Sequence, residues 1–248
     1  MIQGIFHLGS GLGNQLHRYV ATRCLALDHG FEFGMANPQL FKGSSFMNLD
    51  MGSPPRELPY FLQEQKEVDE RGTDIRGYDG ELVRQIVDNT EIDGEFQDER
   101  YWEHYADEVN EWLKVKSMDF PDDVCVIGFR GGEYQYCPDL FLPQSYWDEA
   151  ITEMRKINPM MEFRVVTDDP ITAERFFPTF KITHEIGADW RAVRYAPYLI
   201  IANSSFYIFP AWLGNAKKII APKGWARYNW HDGKFYLPQN QYKKFTYI

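Results

Sequence analysis

The sequence predicts an α/β fold with mainly parallel sheets, and two observations support this prediction. Short apolar runs of strand length alternate with helical patterns along most of the chain. Small or polar residues follow several of these runs directly, as is common where parallel strands end. The length of 248 residues allows one large domain or two small ones. We expect two closely packed α/β parts, residues 1–120 and 121–248.

The first predicted elements form a βαβ unit. Residues 2–8 are a predicted buried strand that leads into a loop with three glycines at 9–14. A helix follows, because apolar residues recur at three- and four-residue steps until Gly30 provides a stop. Residues 31–36 are the predicted second strand. The apolar stripe of the helix comprises Leu16, Tyr19, Val20, Cys24 and Leu27.

The middle of the chain, from residue 37 to about 123, is predicted to be irregular and is strongly acidic. Its one predicted regular element is a helix over residues 99–115. A domain junction or an excursion of the chain is expected near residues 116–123, where Pro121 interrupts the pattern.

The alternation of strands and helices returns after residue 123, which is typical of a mainly parallel sheet. The predicted strands are 124–129, 163–167, 180–183, 199–202 and 218–221. The predicted helices are 144–157, a short helix after Pro170, one from about residue 188, and a turn through Trp212.

Composition excludes several classes of protein. A net charge of -10 and a pI near 5.1 argue against a general nucleic-acid binder. No apolar run approaches the ~18 residues that span a bilayer, and no secretory signal pattern is visible. The cysteines Cys24, Cys125 and Cys137 suit neither a disulfide framework nor zinc, and we expect Cys24 and Cys125 to be small core residues of a cytoplasmic protein.

A basic and aromatic tail begins at Ala216, with a single acid at Asp232. It could touch an anionic membrane surface, which would place the protein at the inner membrane face. Alternatively, it is an ordinary solvated face that packs over the acidic middle. Its members are Lys217, Lys218, Lys223, Arg227, Tyr228, Trp230, Lys234, Tyr236, Tyr242, Lys243, Lys244, Phe245 and Tyr247.

Four predicted strand ends carry small or polar groups, at residues 9–14, 130–134, 167–169 and 203–205. In parallel α/β sheets such ends share one edge, where ligands bind. A glycine loop that opens a helix offers N–H groups to an anion, and Arg130 adds a planar cationic fork. Together these groups predict a site for a diphosphate.

Each of these signals also has a purely structural interpretation. The loop reads G-x-G-x-G, which is neither the dinucleotide nor the Walker pattern and could be a simple turn. Arg130 could be a surface ion-pair residue. Residues 168–169 and 203–205 could cap helices without any ligand. Their shared place at strand ends favours a functional site.

Four segments resemble the α-1,2-fucosyltransferase family, in the family's order and over nearly the whole chain. Residues 11–15 match its G-L-G-N-Q opening, and 94–102 resemble its G-[YF]-[FW]-Q-S-x-[KR]-Y-F segment. Residues 200–213 are similar to its I-I-A-N-S-S-F-S-W-W-A-A-W-L stretch. Residues 166–169 are similar to the S/T-D-D of the wider α-1,2/α-1,6/protein O-fucosyltransferase group.

The family's H-x-R-R-G-D-Y segment is altered in this chain. Arg130 retains its first arginine, whereas Gly128, Gly131 and Glu133 replace the histidine, the second arginine and the aspartate. We expect Gly128 to leave room and Gly131 to weaken the positive charge. The donor sugar therefore stays open.

The resemblance implies a GT-B-like fold of two Rossmann-like parts, with residues 1–120 on the acceptor side and 121–248 binding the nucleotide sugar. It implies metal-independent, inverting transfer of fucose from GDP-fucose to a galactoside hydroxyl of a glycan, without a cofactor. No D-x-D motif of metal-dependent glycosyltransferases occurs. The implied donor-binding residues are Gly11, Gly13, Asn14, Gln15, Asp168, Asp169, Asn203, Ser204 and Ser205.

In the implied mechanism, Arg130 and main-chain N–H groups at Gly13, Asn14, Ser204 and Ser205 compensate the leaving diphosphate. Glu95 and Glu133 are candidate general bases, with Asp93 a third, and each could equally be an orienting acceptor.

Two alternatives remain beside the transferase. The altered segment allows a catalytically impaired nucleotide- or glycan-binding relative with a different donor. A nicotinamide-dependent oxidoreductase is disfavoured, because Glu32 begins the second strand and no acid ends it. The oligomeric state does not follow from the sequence.

Overall fold

The computed structural model describes residues 1–65, 77–138, 140–223 and 242–248, and the backbone alone of 227–228 and 235–236. The chain divides into two compact units, Met1–Val115 and Lys116–Ile248, whereas the boundary expected from the sequence follows residue 120. Each unit contains a sheet of parallel strands. The predicted α/β class with mainly parallel sheets is confirmed.

The N-terminal unit is built on a four-stranded parallel sheet with the order β2-β1-β4-β3. The strand order reverses between the neighbours β1 and β4, since the chain places β2 on one side of β1 and β4 on the other. The strands are β1 (Ile2–Ile5), β2 (Phe33–Ala36), β3 (Tyr60–Gln63) and β4 (Thr90–Asp93). The helices are α1 (Leu12–His29), α2 (Gly80–Gln85) and α3 (Ala106–Trp112).

The helix predicted after the glycine loop is α1, and it ends as expected. Gly30 adopts a left-handed conformation with φ 68°, and its N–H donates to the carbonyls of Ala26 and Leu27. Every residue of the predicted stripe is buried except Leu27, which is 48% exposed. The predicted apolar stripe therefore marks the buried face of α1, except in the last turn of the helix.

The middle of the N-terminal unit differs from its prediction. β3, α2 and β4 were not predicted. β3 is an exposed edge strand, α2 has only six residues, and β4 carries two acids within an acidic stretch. The predicted helix over 99–115 is wrong in extent. Two short 3-10 helices, Glu99–Tyr101 and Glu103–Tyr105, precede α3, because Trp102 leaves the helical region with φ -148° and ψ -8°.

The C-terminal unit contains a six-stranded parallel sheet in the order β12-β9-β8-β5-β6-β7. Its strands are β5 (Val124–Phe129), β6 (Glu162–Thr167), β7 (Lys181–Thr183), β8 (Tyr198–Ile201), β9 (Lys218–Ala221) and β12 (Thr246–Tyr247). β10 (Arg227–Tyr228) and β11 (Phe235–Tyr236) form a separate antiparallel pair. The helices are α4 (Gln144–Ile157), α5 (Pro170–Phe176), α6 (Ile186–Tyr195) and α7 (Ile208–Leu213).

This order is that of a doubly wound Rossmann sheet. The chain runs outward through β5, β6 and β7, then returns to place β8 and β9 on the other side of β5. The reversal therefore lies between β5 and β8. Ligands of open α/β sheets bind outside the carboxyl ends of the strands at such a reversal.

Cys24 and Cys125 are buried, as predicted for small core residues. Burial raises the pKa of both thiols, so they stay protonated at neutral pH.

The membrane-contact prediction for the tail falls partly outside the described residues. Trp230, Asp232 and Lys234 lie in the undescribed ranges, and only the backbone of 227–228 and 235–236 is described. Where the tail is described, Lys217 pairs with Asp122 at 3.0 Å. Within the described ranges, no helix has the length and apolar character needed to cross a bilayer.

Candidate functional site at the strand-order reversals

In the C-terminal unit, Asp168 joins the ends of β5 and β6. Its Oδ2 lies 2.9 Å from Nη1 of Arg130, and its Oδ1 accepts the N–H of Gly131 at 3.0 Å. Arg130 Nη2 also donates to Glu133 Oε1 at 2.5 Å. The buried Nε of Arg130 has no hydrogen-bond partner among the described residues. The guanidinium thus lies at the carboxyl edge of the sheet, and its Nε donor is unused among the described residues.

Two glycines allow the loop after β5 to press against the end of β6. A Cβ on Gly131 would lie 2.7 Å from Cβ of Asp169, closer than packed atoms come. Gly132 has a φ of 44°, in the region that favours glycine. A second arginine at position 131, as in the family segment, would require Asp169 to move.

The expectation that Gly128 leaves room is wrong, because Tyr207 occupies that space. A Cβ on Gly128 would lie 2.7 Å from Cε1 of the Tyr207 ring. The Tyr207 hydroxyl donates to the carbonyl of Phe129 at 2.8 Å, and the side chain is buried. In the motifs that these segments resemble, histidine and serine stand at positions 128 and 207. Here the Tyr207 ring lies in the space beside Gly128.

Tyr134, in the loop that follows Arg130, contacts the segment after β8. The Tyr134 hydroxyl donates to the carbonyl of Asn203 at 3.4 Å, and its ring centroid lies 5.2 Å from Cζ of Arg130. The Asn203 side chain is buried and donates to Leu140 O at 2.9 Å. The N–H of Ser204 donates to Ala202 O at 2.9 Å, and Ser205 begins a 3-10 helix. The side-chain amide of Asn203 and the N–H of Ser204 are therefore engaged within the protein.

The two aspartates after β6 have different environments. Burial is the largest influence on Asp168 and raises its pKa, although the charge of Arg130 and the N–H of Gly131 oppose it. Asp169 caps α5 by accepting the N–H of Thr172 at 3.1 Å. Burial acts to raise the pKa of Asp169, but hydrogen bonds led by those from Thr172 outweigh it and lower the pKa.

In the N-terminal unit, the glycine loop leads directly into α1. Gly11 caps the helix in an extended conformation, and a Cβ there would meet nothing within 4 Å. Asn14 Oδ1 accepts a hydrogen bond from Gln97 at 3.1 Å, which joins the first two family-like segments. Gln15 is fully buried, and its amide donates to Leu40 O at 2.7 Å and accepts from the N–H of Lys42 at 2.9 Å. Gln15 thus anchors a neighbouring loop, while Gly11 and Gly13 line the start of the helix.

Arg18 of α1 contacts polar groups that follow the ends of β1 and β4. Its buried guanidinium donates to the carbonyl of Gly94 at 2.7 Å and to Ser10 Oγ at 2.9 Å. Nη2 lies 3.4 Å from Oε1 of Glu95. Beside this cluster, His7 Nε2 is 2.8 Å from Oδ1 of Asp93.

Sequence reasoning missed three residues of this N-terminal edge: His7, Arg18 and Glu64. Glu64 is buried, and its Oε2 accepts the N–H groups of Glu95 at 2.7 Å and Phe96 at 3.1 Å. Phe96 has a φ of 47°, which a non-glycine residue rarely adopts. His7 was missed because the predicted strand 2–8 includes it, whereas β1 ends at Ile5 and leaves His7 in the loop that follows. Nothing in the sequence links Glu64 to a loop 31 residues away.

The structure thus forms two separate clusters from the predicted residues. Arg130, Glu133, Asp168 and Asp169 meet in the C-terminal unit, with Asn203 reached through Tyr134. Glu95, Asp93 and Asn14 belong to the N-terminal edge. Among the residues that the structure describes, no group of three or more His, Cys, Asp or Glu is placed to hold a metal ion.

No family model matches the chain, and no curated protein matches it. The solved structures to which it is similar include three glycosyltransferases. The Escherichia coli heptosyltransferase WaaC with ADP has 12% identity and a TM-score of 0.46, covering 99% of this chain and 94% of that one. The NodZ α-1,6-fucosyltransferase soaked with GDP-fucose has 12% identity and a TM-score of 0.49, covering 96% and 99%.

The third is a family 9 glycosyltransferase from Veillonella parvula DSM 2008, with 10% identity and a TM-score of 0.44, covering 90% of this chain and 80% of that one. Similarity at this level assigns no activity, donor or acceptor to the chain.

Proposed function

We propose that the chain is an inverting, metal-independent glycosyltransferase that transfers fucose from GDP-fucose to a galactoside hydroxyl of a glycan. The observation that carries the proposal is the position of Arg130. It follows β5, next to the reversal of strand order, and its buried Nε–H has no partner among the described residues. An unpaired buried donor on a permanent cation is satisfied by an anionic ligand such as a diphosphate.

The main requirement that the reaction places on the C-terminal unit is to stabilise the negative charge of the leaving diphosphate. As the bond between the anomeric carbon and the diphosphate oxygen breaks, negative charge develops on the diphosphate and the sugar becomes oxocarbenium-like. Arg130 is already held in place by Asp168, at 2.9 Å, so it stabilises that charge without reorganising. The acceptor hydroxyl attacks the anomeric carbon from the opposite face, which inverts its configuration.

Glu133 competes with the ligand for Arg130. Its side chain is 56% exposed, and an exposed ion pair contributes only about 0–1 kcal/mol. A diphosphate therefore displaces Glu133 more readily than Asp168, which also binds the N–H of Gly131. We assign Asp169 the remaining role that the family resemblance implies, a hydrogen bond to the guanine or ribose.

The test combines calorimetry with a transfer assay. The wild-type protein should bind GDP with a micromolar Kd in EDTA and should transfer fucose from GDP-fucose to lactose. Removing one such preorganised donor costs about 10²–10³ in turnover, so Arg130→Ala should lower transfer about 100-fold. Wild-type binding and turnover in Arg130→Ala would refute the assignment.

A second candidate is a nucleotide-binding relative without catalysis. It is favoured by the pairing of both Nη groups of Arg130 with carboxylates, at a position where the family segment has two arginines. Titration with GDP, UDP and ADP, followed by assays with their sugar conjugates, separates the two functions. Binding without hydrolysis or transfer of any donor would support this second candidate.

A further inference from the structure

The segment that follows Arg130 lies against its guanidinium in this structure. This segment is the 3-10 helix Gly132–Tyr136, which we call the strap. Glu133 of the strap accepts a hydrogen bond from Nη2 of Arg130, and the ring centroid of Tyr134 lies 5.2 Å from Cζ. The Arg130 side chain is 26% exposed, although it follows β5 at the edge of the sheet where ligands bind.

The strap occupies the edge of the guanidinium that suits an anion best. Nε and Nη2 form one edge of the planar fork, and such an edge donates two parallel hydrogen bonds to a phosphate or carboxylate. Glu133 accepts from Nη2 through a single oxygen, Oε1, whereas Nε is buried and has no partner among the described residues. A diphosphate therefore reaches Nε only after the groups around this atom have moved.

The contacts of the strap are weaker than those of Asp168 on the other side of Arg130. Asp168 lies 2.9 Å from Nη1 and also accepts the N–H of Gly131, so its displacement breaks two contacts. Glu133 is 56% exposed, and exposed ion pairs are weak. The Tyr134 hydroxyl makes a long hydrogen bond, 3.4 Å, to a carbonyl of the segment after β8. We therefore expect the strap to move and Asp168 to stay.

The backbone before the strap is suited to such a movement. Two consecutive glycines, Gly131 and Gly132, join Arg130 to the rest of the strap. Glycine has no Cβ and adopts a wider range of backbone conformations than other residues, and Gly132 has a φ of 44° here. The N–H of Tyr134 donates to the carbonyl of Gly131 at 2.9 Å across these glycines. Opening of the strap about the two glycines would break this hydrogen bond.

We propose that the strap is a cover of the diphosphate site, which lies over Arg130 without ligand and moves away when a diphosphate binds to Nε and Nη2. This inference rests on the proposed diphosphate site and involves residues of the C-terminal unit only. In the closed state Glu133 and Tyr134 compensate the cation. The apparent Kd of the ligand then equals its intrinsic Kd divided by the fraction of molecules that are open.

Tyr134→Ala tests the cover by stopped-flow binding of the fluorescent GDP analogue mant-GDP. The substitution removes the ring from the guanidinium without a change of charge. A cation–π contact at an exposed site corresponds to about a 2- to 5-fold change in an equilibrium constant, so the association rate constant should rise about 2- to 5-fold. The dissociation rate constant should stay unchanged, because the strap limits access only. Slower association or faster dissociation would indicate that Tyr134 contacts the ligand and would overturn the proposal.

Tyr136→Ala is the matched control in the same strap. The Tyr136 side chain is 77% exposed, so its removal should change neither rate constant. If this variant gains as much in association rate as Tyr134→Ala, the gain reflects a general loosening of the segment. That result would contradict closure through the contacts to Arg130.

Hydrogen exchange of the wild-type protein tests the movement without any substitution. Saturating inorganic pyrophosphate should speed exchange of the Tyr134 amide several-fold, because opening breaks its hydrogen bond to Gly131. The amides of β6 should not exchange faster. Unchanged or slower exchange of the Tyr134 amide would show that the strap does not open, and this result decides the matter even if Tyr134→Ala fails to fold.

The outcomes separate the cover from the proposed function. If the wild type binds neither pyrophosphate nor mant-GDP, the proposed diphosphate site fails. If the wild type binds them without faster exchange in the strap, or if Tyr134→Ala folds and associates no faster, the cover fails and the diphosphate site stands.

Discussion

At the scale of single residues, Arg130 is held by two carboxylates of unequal strength. Asp168 is partly buried and also binds the N–H of Gly131, whereas Glu133 is mostly exposed and pairs with Arg130. Ion pairs weaken with exposure to water. If a diphosphate binds Arg130 as we propose, we expect it to replace Glu133 rather than Asp168. That expectation conflicts with a role for Glu133 as general base.

Glu133→Gln separates these two roles. If Glu133 only competes with the ligand, its removal should tighten GDP binding about 2- to 5-fold, the equivalent of an exposed ion pair. If Glu133 is the general base, transfer should instead fall about 100-fold. Calorimetry and the transfer assay measure both quantities, and Glu153→Gln, which breaks an exposed pair with Lys156 on α4, is the control.

The Tyr207 ring packs directly against Gly128. We therefore expect substitutions at these two positions to have coupled effects on the free energy of unfolding. Gly128→Ala places a Cβ against the Tyr207 ring and should cost about 1–3 kcal/mol of unfolding free energy by overpacking. The loss should shrink in a Tyr207→Ser background, which removes the ring. Denaturant titration of all four proteins gives the coupling energy.

Gly11→Ala is the stability control for that series. Gly11 has a φ of -70° and open space where its Cβ would stand, so the change should cost less than about 0.5 kcal/mol. Equal losses at positions 11 and 128 would contradict the packing explanation.

At the scale of elements, α6 carries a buried carboxylate at its start. Asp189 is 4% exposed and accepts a hydrogen bond from the Thr183 hydroxyl of β7 at 2.8 Å. Burial raises the pKa of Asp189 to about 6, with the Thr183 bond opposing the shift. The folded protein therefore binds this proton more tightly than the unfolded chain does.

The expected pH dependence follows from that difference. Between the ordinary value of 3.8 and about 6 the folded state holds more protons, so stability from this group falls as pH rises through that window. Asp189→Asn retains an acceptor for Thr183 and removes the charge. It should gain about 1–3 kcal/mol above pH 7, and the gain should vanish near pH 4.

Thermal melts across pH 4–8 measure this effect. Asp148→Asn, at an exposed aspartate of α4, is the control and should leave the pH profile of Tm unchanged. A Tm difference for Asp189→Asn that is independent of pH would contradict the assignment.

Elements with strong local patterns were predictable, and short edge elements were not. α4 has its predicted bounds, and α1 ends at its predicted glycine. β3 and β4 were missed because β3 is a mostly exposed strand and β4 carries two acids, so neither forms an apolar run within the acidic middle of the chain. Trp102 broke a predicted helix, because its buried ring is placed by packing that helical periodicity does not encode.

At the scale of the whole molecule, chemistry-bearing residues concentrate where strand order reverses in each sheet. Arg130 follows β5 next to β8, and His7 follows β1 next to β4. The strand-end argument predicted the first of these places by residue. For the second it predicted the loop but not the histidine.

Local sequence patterns were enough to specify the α/β class, the main helices, the glycine loop and the place of Arg130 after a central strand. These features follow from periodicity, turn residues and short motifs, which act over a few neighbouring positions. The folded structure was needed to show that Asp168 holds Arg130, that Tyr207 fills the space beside Gly128, and that His7 meets Asp93. Those partners lie 38 to 86 residues apart in the chain, and only the folded backbone brings such distant groups into contact.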